Sequence, residues 1–461
     1  MKALALVALV FFAQSAAAQH GASASNMTLL GHEPLQARSA YQPVIHNQGG
    51  RWIAYIGHHG GKTMNALTGR EEDNGTSIVD VTDPRAPRYI AHIPGEPGQA
   101  ESGGAQMVRV CSGANLPKAD KSKVYLLRTY GNLAHEVWDV TAPEKPSRIV
   151  VVVDKLKGTH KNWWECDTGI AYLVSGLPDW RTRRMTQVFD LSDPARPVLI
   201  RNFGLVGQQP GADGAAPTEL HGPISTGPKG NRIYFGYGTN KSGVLQIVDR
   251  SKLLAAPHEP TPANLLAPQV GRIDLSIHNG AHTTLPVLGM DLAEFAKDQA
   301  AKRRDFVFII NESLTNECQE PRQMVFVVDV TDEKVPVGVS TFNVPETHPD
   351  SKGGFCTRGG RFGAHSSNEN QPPMYARQYI FVTWFNAGVR AIDIRNPLQP
   401  REAGYYIPAT TDKTDKRCVK TPAGERCKVA IQSNNLEVDE RGYIYVVDRA
   451  NTGMHILQFN R

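Results

Sequence analysis

Four histidines share a sequence context that favours metal chemistry. Each precedes a β-type stretch, in "GTHKNWWE" (His160), "ELHGPIST" (His221), "GAHTTLPV" (His282) and "GAHSSNEN" (His365). The first two intervals between them are both 61 residues, and the third is 83. Imidazole is a ligand for iron, copper, zinc and nickel, and a set of neutral ligands leaves the metal its full charge to activate a bound molecule. We therefore predict that these histidines bind one metal ion, provided that the fold brings them together.

An adjacent pair, His58 and His59 in "YIGHHGG", is a second candidate. We expect this pair at the same level as the four histidines and assign it a catalytic role. Glu165, Glu219 and Glu369 lie close in sequence to three of the histidines and are candidates to fix their tautomers. Other loops at this level would form a polar and aromatic rim suited to a small organic substrate. They carry Arg128, Tyr130, Asp179, Trp180, Arg181, Tyr237, Glu312, Trp384, Asn386 and Arg449.

An internal repeat supplies the elements that would position these residues. Six segments consist of an apolar, β-branched run, a closing aspartate and, in most cases, a turn. They are "SIVDVTDP", "EVWDVTAP", "QVFDLSDP", "LQIVDRSK", "FVVDVTDE" and "RAIDIRNP", with Asp80, Asp139, Asp190, Asp249, Asp329 and Asp393. A seventh segment, "GMHILQF", lacks the aspartate. The aspartates are 51 to 80 residues apart, which leaves room for about four strands per unit, as in a propeller blade.

We predict an all-β fold, a seven-bladed β-propeller formed by residues 19–461 as one domain. The last unit lacks a final strand, and "MTLLGHEPL" near the N-terminus can supply it, so that strands from both termini close the ring and remove its exposed edges. In the aligned units, one residue opens each innermost strand near the central axis. Blades 3 to 6 place the four histidines there, and blades 1, 2 and 7 place Tyr41, Gln106 and Gln432.

The aspartate-ending strands resemble the LVIVD-repeat family of exported β-propeller proteins. The resemblance covers nearly the whole chain after the leader and is strongest in these strands and in "NNLEVDERGYIYVVDRANTGMHIL" at residues 434–457. It implies a propeller fold. It implies little about activity, because a fold does not fix a function.

Two further features concern the blades. The segment "MDLAEFAKDQAAKRRD", residues 290–305, has helical composition and spacing, which predicts a helical insertion packed on the outside of blade 5. Six cysteines form an even set, which favours disulfides in an exported chain. Cys418 and Cys427 flank a short loop and are predicted to pair.

The first 18 residues are typical of a secretory signal peptide, with an apolar run followed by small residues. They predict a periplasmic or secreted protein, and no later segment is long enough to cross a bilayer. The formal net charge of +5 includes no long block of like charge, so nucleic acid and acidic membranes are not the expected partners. A small-molecule substrate is expected instead.

These observations favour a metal-dependent oxidoreductase with iron or copper at the axis, and zinc fits less well. The arrangement is similar to two propeller families: carotenoid-cleaving oxygenases, which hold iron with four axial histidines, and the copper-dependent selenium-binding and methanethiol oxidase family. Neither resembles the chain in sequence. Two alternatives stay open. One is a binding or scaffold propeller with structural histidines, and the other is a metal-assisted lyase or hydrolase, although no G-x-S-x-G motif marks a hydrolytic nucleophile.

Overall fold

The computed structural model describes residues 21–292, 303–351 and 353–461, and it is a seven-bladed β-propeller. The predicted fold class is confirmed. The signal peptide predicted at residues 1–18 lies outside the described residues. Among the described helices, none combines the length and the apolar character needed to span a membrane.

Blades 1 to 5 follow one another along the chain, and each is an antiparallel meander. Blade 1 contains the strands Ala40–Gln48, Arg51–Gly60, Thr76–Asp80 and Arg88–Ile93, with Ala100–Ala105 paired to the second. Blade 2 contains Val108–Ser112, Val124–Tyr130, Ala134–Asp139 and Ser147–Val153. Blade 3 contains Trp163–Trp164, Ile170–Ser175, Met185–Asp190 and Val198–Phe203. Blade 4 contains Leu220–Ser225, Arg232–Tyr237, Val244–Asp249 and Gln269–Asp274. Blade 5 contains Thr283–Asp291, Arg303–Ile310, Val325–Asp329 and Val337–Phe342.

Blades 6 and 7 both take a strand from near the N-terminus. Blade 6 contains Tyr379–Thr383, Val389–Asp393, Arg401–Ile407 and the added strand Ser23–Ser25. Blade 7 contains Ser433–Val438, Tyr443–Asp448, Met454–Phe459 and Met27–Glu33. The predicted closure of blade 7 is therefore present, with Met27 opposite Phe459. The second N-terminal strand, on blade 6, was not anticipated.

The remaining elements lie outside the seven blade sheets. Two hairpins consist of Lys62–Asn65 with Arg70–Asp73 and of Lys416–Thr421 with Gly424–Val429. The short α-helices are Gly227–Gly230, Arg250–Leu254 and Pro262–Leu266. The 3-10 turns are Leu35–Ala37, Pro349–Ser351 and Phe355–Thr357.

The helical insertion predicted at residues 290–305 is wrong at both of its ends. Met290 and Asp291 pair with Arg304 and Arg303, so these residues extend two strands of blade 5. Burial of the Met290 side chain in the core outweighs the helical spacing of the segment. Residues 293–302 lie outside the described residues.

The repeated aspartates hold turns and do not reach the axis. Thr82 donates to Asp80 Oδ1 from its backbone N at 3.0 Å and from its hydroxyl at 2.6 Å. Thr141 makes the same two bonds to Asp139. The motif is an Asx turn, which reverses the chain after the third strand of a blade.

Three disulfides link all six cysteines. Cys418 and Cys427 are paired across the hairpin, as predicted. The other two bonds join Cys111 with Cys166 and Cys318 with Cys356. The Cys111–Cys166 bond connects blade 2 to the start of blade 3, so it fixes two neighbouring blades to each other.

Candidate metal centre at the propeller axis

The four histidines converge at the axis from the starts of blades 3 to 6. The backbone N atoms of His282 and His365 each donate to a strand of the same blade, to Ile310 O in Arg303–Ile310 and to Thr383 O in Tyr379–Thr383, both at 3.0 Å. Ring centroids follow one another from His160 to His221 at 4.4 Å, from His221 to His282 at 3.6 Å and from His282 to His365 at 4.5 Å. All four side chains are buried. We call this group the axial histidine cluster.

Each imidazole of the cluster retains a nitrogen without a hydrogen-bond partner among the described residues. His365 Nδ1 lies 2.8 Å from Asn434 O, and because a carbonyl only accepts, Nδ1 carries the proton and Nε2 keeps its lone pair. His282 Nδ1 lies 3.0 Å from Thr283 Oγ1, which leaves its Nε2 unpartnered. His160 and His221 approach each other through Nε2 at 2.8 Å and leave both Nδ1 atoms unpartnered. Buried polar atoms normally find partners, so these nitrogens are suited to coordinate a cation.

Glu312 provides a carboxylate beside the cluster. Its Oε1 lies 3.6 Å from His365 Nε2, and its Oε2 lies 3.9 Å from His282 Nε2. Arg361 Nη1 forms an ion pair with the same Oε1 at 3.1 Å. Ligand atoms of His221, His282 and Glu312 all lie within 4.8 Å of one another, a spacing that a single metal ion can bridge.

Burial sets the protonation of the cluster. It lowers the pKa of all four histidines well below the usual value, and for His160 the nearby charge of Arg184 adds to this effect. The imidazoles are therefore neutral at neutral pH, as metal ligands must be. Burial also raises the pKa of Glu312 to about 7, although Arg361 opposes this shift.

The adjacent histidines His58 and His59 separate, because successive side chains of a strand point to opposite sides. His59 joins the axial region: its ring lies 5.0 Å from that of Tyr41, and its Nε2 is 3.3 Å from Glu101 Oε1. His58 is directed into blade 1, where its Nε2 lies 2.7 Å from Ser77 Oγ. The catalytic role assigned to His58 is therefore not supported by its position.

The three carboxylates predicted to fix the histidines do not contact them. Glu165 accepts from Arg250, Glu219 lies near Arg183, and Glu369 pairs with Lys161 and Arg109. Sequence proximity failed here because basic side chains, rather than the histidines, engage these carboxylates. The actual partners are Asn434 O and Glu312, which are distant in sequence from His365, and Thr283, which directly follows His282.

Of the three residues expected to complete the ring, Tyr41 makes a direct contact. Its hydroxyl lies 3.0 Å from His160 Nε2. Gln106 donates to Glu101 O at 3.2 Å, and Gln432 Oε1 accepts from Arg361 N at 3.0 Å. These two glutamines position neighbours of the cluster.

Of the residues expected to form the polar and aromatic rim, some lie beside the cluster and others do not. Glu312 reaches the cluster, and Arg449 Nη2 lies 3.1 Å from Glu101 Oε1 beside His59. Arg128 instead forms a buried ion pair with Glu136, and Asn386 donates to backbone carbonyls. Glu312 was a rim candidate but not a metal candidate. Its signal is the polar pair "NE" that follows the apolar run "FVFII".

A second polar layer adjoins the cluster. Lys161 Nζ donates to Thr283 Oγ1 at 2.8 Å and pairs with Glu369, which also binds Arg109. A Cβ at Gly222 would come within 2.7 Å of the Lys161 side chain, so glycine is needed for the lysine to pass. The layer links blades 2, 3, 5 and 6 behind the histidines.

A cavity of about 100 Å³ opens onto the cluster between blades 3 and 4. Its lining residues are Arg184, Thr218, Glu219, Leu220, His221, Gly238, Thr239 and Lys241. His221 is thus the cluster member that this cavity reaches.

No protein-family model matches the sequence, and no curated protein matches it. Among solved structures, 459 chains match. One is a crystal structure of Raptor from Chaetomium thermophilum, with a TM-score of 0.54 and 9% identity, covering 96% of this chain and 30% of the Raptor chain. This chain therefore spans about a third of that protein's length. At this identity the likeness shows the propeller fold alone, and such a widely shared fold specifies no activity.

Proposed function

We propose that the protein binds one iron or copper ion at the axial histidine cluster and acts as an exported metal-dependent oxidoreductase on a small organic substrate. The observation that carries the proposal is the set of four buried, neutral imidazoles, each with an unpartnered nitrogen, beside Glu312. Zinc also accepts nitrogen ligands, but it performs no redox chemistry.

The residues of this chain have distinct parts in such a centre. His160, His221, His282 and His365 hold the metal, and Asn434 O fixes the His365 tautomer. The bound metal would supply redox or Lewis-acid activation. Glu312, with a pKa raised by burial to about 7, takes or gives a proton beside the ligands. The cavity at His221 admits the substrate.

We propose export because residues 1–18 are predicted to be a signal peptide. The three disulfides fit an oxidising compartment, either the periplasm or the medium.

Elemental analysis of tag-free protein, residues 19–461, tests the metal centre. We expect close to one iron or copper per chain, and its loss from a His282→Asn/His365→Asn variant. The matched control is His135→Asn/His455→Asn, which changes two buried histidines outside the cluster and should keep the metal. Circular dichroism checks that both variants fold. No metal in the parent protein, even after incubation with iron, copper or zinc, would refute the proposal and favour a binding or scaffold propeller.

A second function is favoured by Glu312. A carboxylate with a pKa near neutrality beside a metal centre suits a general base in a metal-assisted lyase or hydrolase. Oxygen uptake with candidate substrates separates the two functions. An oxidase consumes oxygen, whereas a lyase or hydrolase turns over equally well under nitrogen.

A further inference from the structure

Arg184 is a buried cation without a partner. It immediately precedes the strand Met185–Asp190, and its carbonyl accepts from Leu220 N at 3.2 Å, which ties it to the start of blade 4. The side chain is 4% exposed. Its guanidinium makes no hydrogen bond or ion pair with any residue that the structure describes, and its Nε is a buried donor without an acceptor.

Other buried arginines of this chain do have acceptors: Arg38 and Arg201 donate to backbone carbonyls, and further ones pair with carboxylates. Arg128 pairs with Glu136, Arg250 with Glu165 and Arg390 with Glu402. Because an arginine cannot escape burial by losing its proton, a buried guanidinium without a partner strongly destabilises the fold. The exception at Arg184 therefore indicates a missing anion.

The cavity at the axis gives that anion a place. Arg184 and His221 line the same space of about 100 Å³, together with Thr218 and Thr239. This volume accepts a group of a few non-hydrogen atoms. The planar fork of a guanidinium matches a carboxylate with two parallel hydrogen bonds. The exposed Lys241 lies at the same cavity and adds positive charge.

We propose that Arg184 forms a carboxylate-binding subsite beside the axial histidine cluster, so that the substrates are small organic monoanions. One guanidinium neutralises one negative charge, and Glu219 in the same lining disfavours a dianion. A carboxylate held at Arg184 directs the rest of the molecule toward His221. The inference deepens the proposed function and rests on it for the reaction, but the binding step itself needs no metal.

The test is binding of propionate to chelator-treated, tag-free protein, followed by ligand-observed NMR. Propionamide, which has nearly the same shape without the charge, is the matched probe. We expect propionate to bind and propionamide to bind at least about tenfold more weakly. Arg184→Gln should weaken propionate binding by about tenfold or more, and Arg184→Lys should fall between the two. The control is Arg183→Gln, a neighbouring and half-exposed arginine, which should change binding by less than about twofold.

Four results would overturn the subsite. The first three are equal binding of propionate and propionamide, propionate binding that Arg184→Gln leaves unchanged, and binding that occurs only in metal-loaded protein. Tighter binding of inorganic phosphate than of propionate would also overturn it, because the site would then favour a dianion. If Arg184→Gln does not fold, the comparison of the two probes on the unchanged protein decides. Since the titration uses metal-free protein, failure of the metal proposal leaves this result interpretable by itself.

Discussion

Glu136→Gln should destabilise the propeller far more than a typical charge removal. Glu136 Oε2 accepts from Arg128 Nε and Nη2 at 3.1 and 3.0 Å, and both side chains are almost fully buried. Arg128 also donates to Ile93 O and Pro94 O of blade 1, so the pair bridges two blades. Burial raises the pKa of Glu136, but the charge of Arg128 and hydrogen bonds from Trp138, Arg148 and Arg128 together hold that pKa below its usual value. Glu136 is therefore ionised at neutral pH.

The expected loss of stability follows from removing one partner of a buried ion pair, which leaves the charge of Arg128 without its carboxylate. Breaking such a pair costs about 3–5 kcal/mol, and arginine cannot reduce the cost by deprotonating. An unfolding entropy of about 2.1 cal/mol/K per residue over about 440 residues is about 0.9 kcal/mol/K. The midpoint of thermal unfolding should therefore fall by about 3–5 °C.

Scanning calorimetry and urea unfolding on metal-free protein measure the effect. Glu144→Gln is the matched control, because it removes a carboxylate from an exposed pair with Arg51 and should cost less than about 1 kcal/mol. The double variant Arg128→Met/Glu136→Leu should recover most of the loss, because replacing a buried pair with apolar residues is often neutral or stabilising. A Glu136→Gln midpoint within 1 °C of the parent, or a double variant worse than Glu136→Gln, would refute the reasoning.

Three further predictions concern separate parts of the molecule. His59→Gln should reduce metal affinity or oxygen uptake by about tenfold, whereas His58→Gln should lower the thermal midpoint and leave metal content unchanged; the opposite pattern would contradict the assignment. The pKa of Asp80 is lowered to about 2, because hydrogen bonds from Thr82 and the bond and charge of Arg51 together outweigh burial. Its contribution to stability is therefore present above the unfolded pKa of about 3.9 and is lost as the pH falls toward 2. Urea midpoints between pH 5 and pH 2 should therefore fall less steeply in Asp80→Asn. Under mild reductant, Cys418 and Cys427, in a largely exposed hairpin, should be alkylated first, as mass spectrometry of trapped peptides will show.

The fold was predictable because one signal recurs. A strand that ends in aspartate encodes both a β element and the turn after it. Six copies and the seventh segment without the aspartate give the blade count, and the N-terminal strand completes the last blade. The errors fall where the signal is absent. The strand Ser23–Ser25 is three residues long, and residues 290–305 have helical spacing although their ends continue a β-ladder. Pairing with an existing sheet edge decides such segments, and this tertiary effect is not encoded locally.

The sequence predicted which histidines meet at the candidate site, but not which other groups contact them. Repeat alignment located His160, His221, His282 and His365 at equivalent places, and the structure brings them together. The repeat alignment gave no information on which residues from elsewhere in the ring would face these histidines. Glu312, for example, lies just after the second strand of blade 5. Contacts between blades depend on the closed ring, so one blade's sequence cannot specify them.

The contrast between the repeated aspartates and the histidines bears on whether the cluster is merely structural. A residue kept to build each blade should find the same partner in each copy, and Asp80 and Asp139 do, each accepting from a threonine two positions later. The histidines do not: His365 bonds a backbone carbonyl, His282 a threonine hydroxyl and His160 a tyrosine. Each also keeps a buried nitrogen unpartnered, which a purely structural role would leave as an uncompensated cost. Ligation of a metal ion would give a partner to His221 and His282, whose ligand atoms lie with one of Glu312 within 4.8 Å of one another. The carboxylate subsite proposed at Arg184 adjoins the cluster through the cavity at His221.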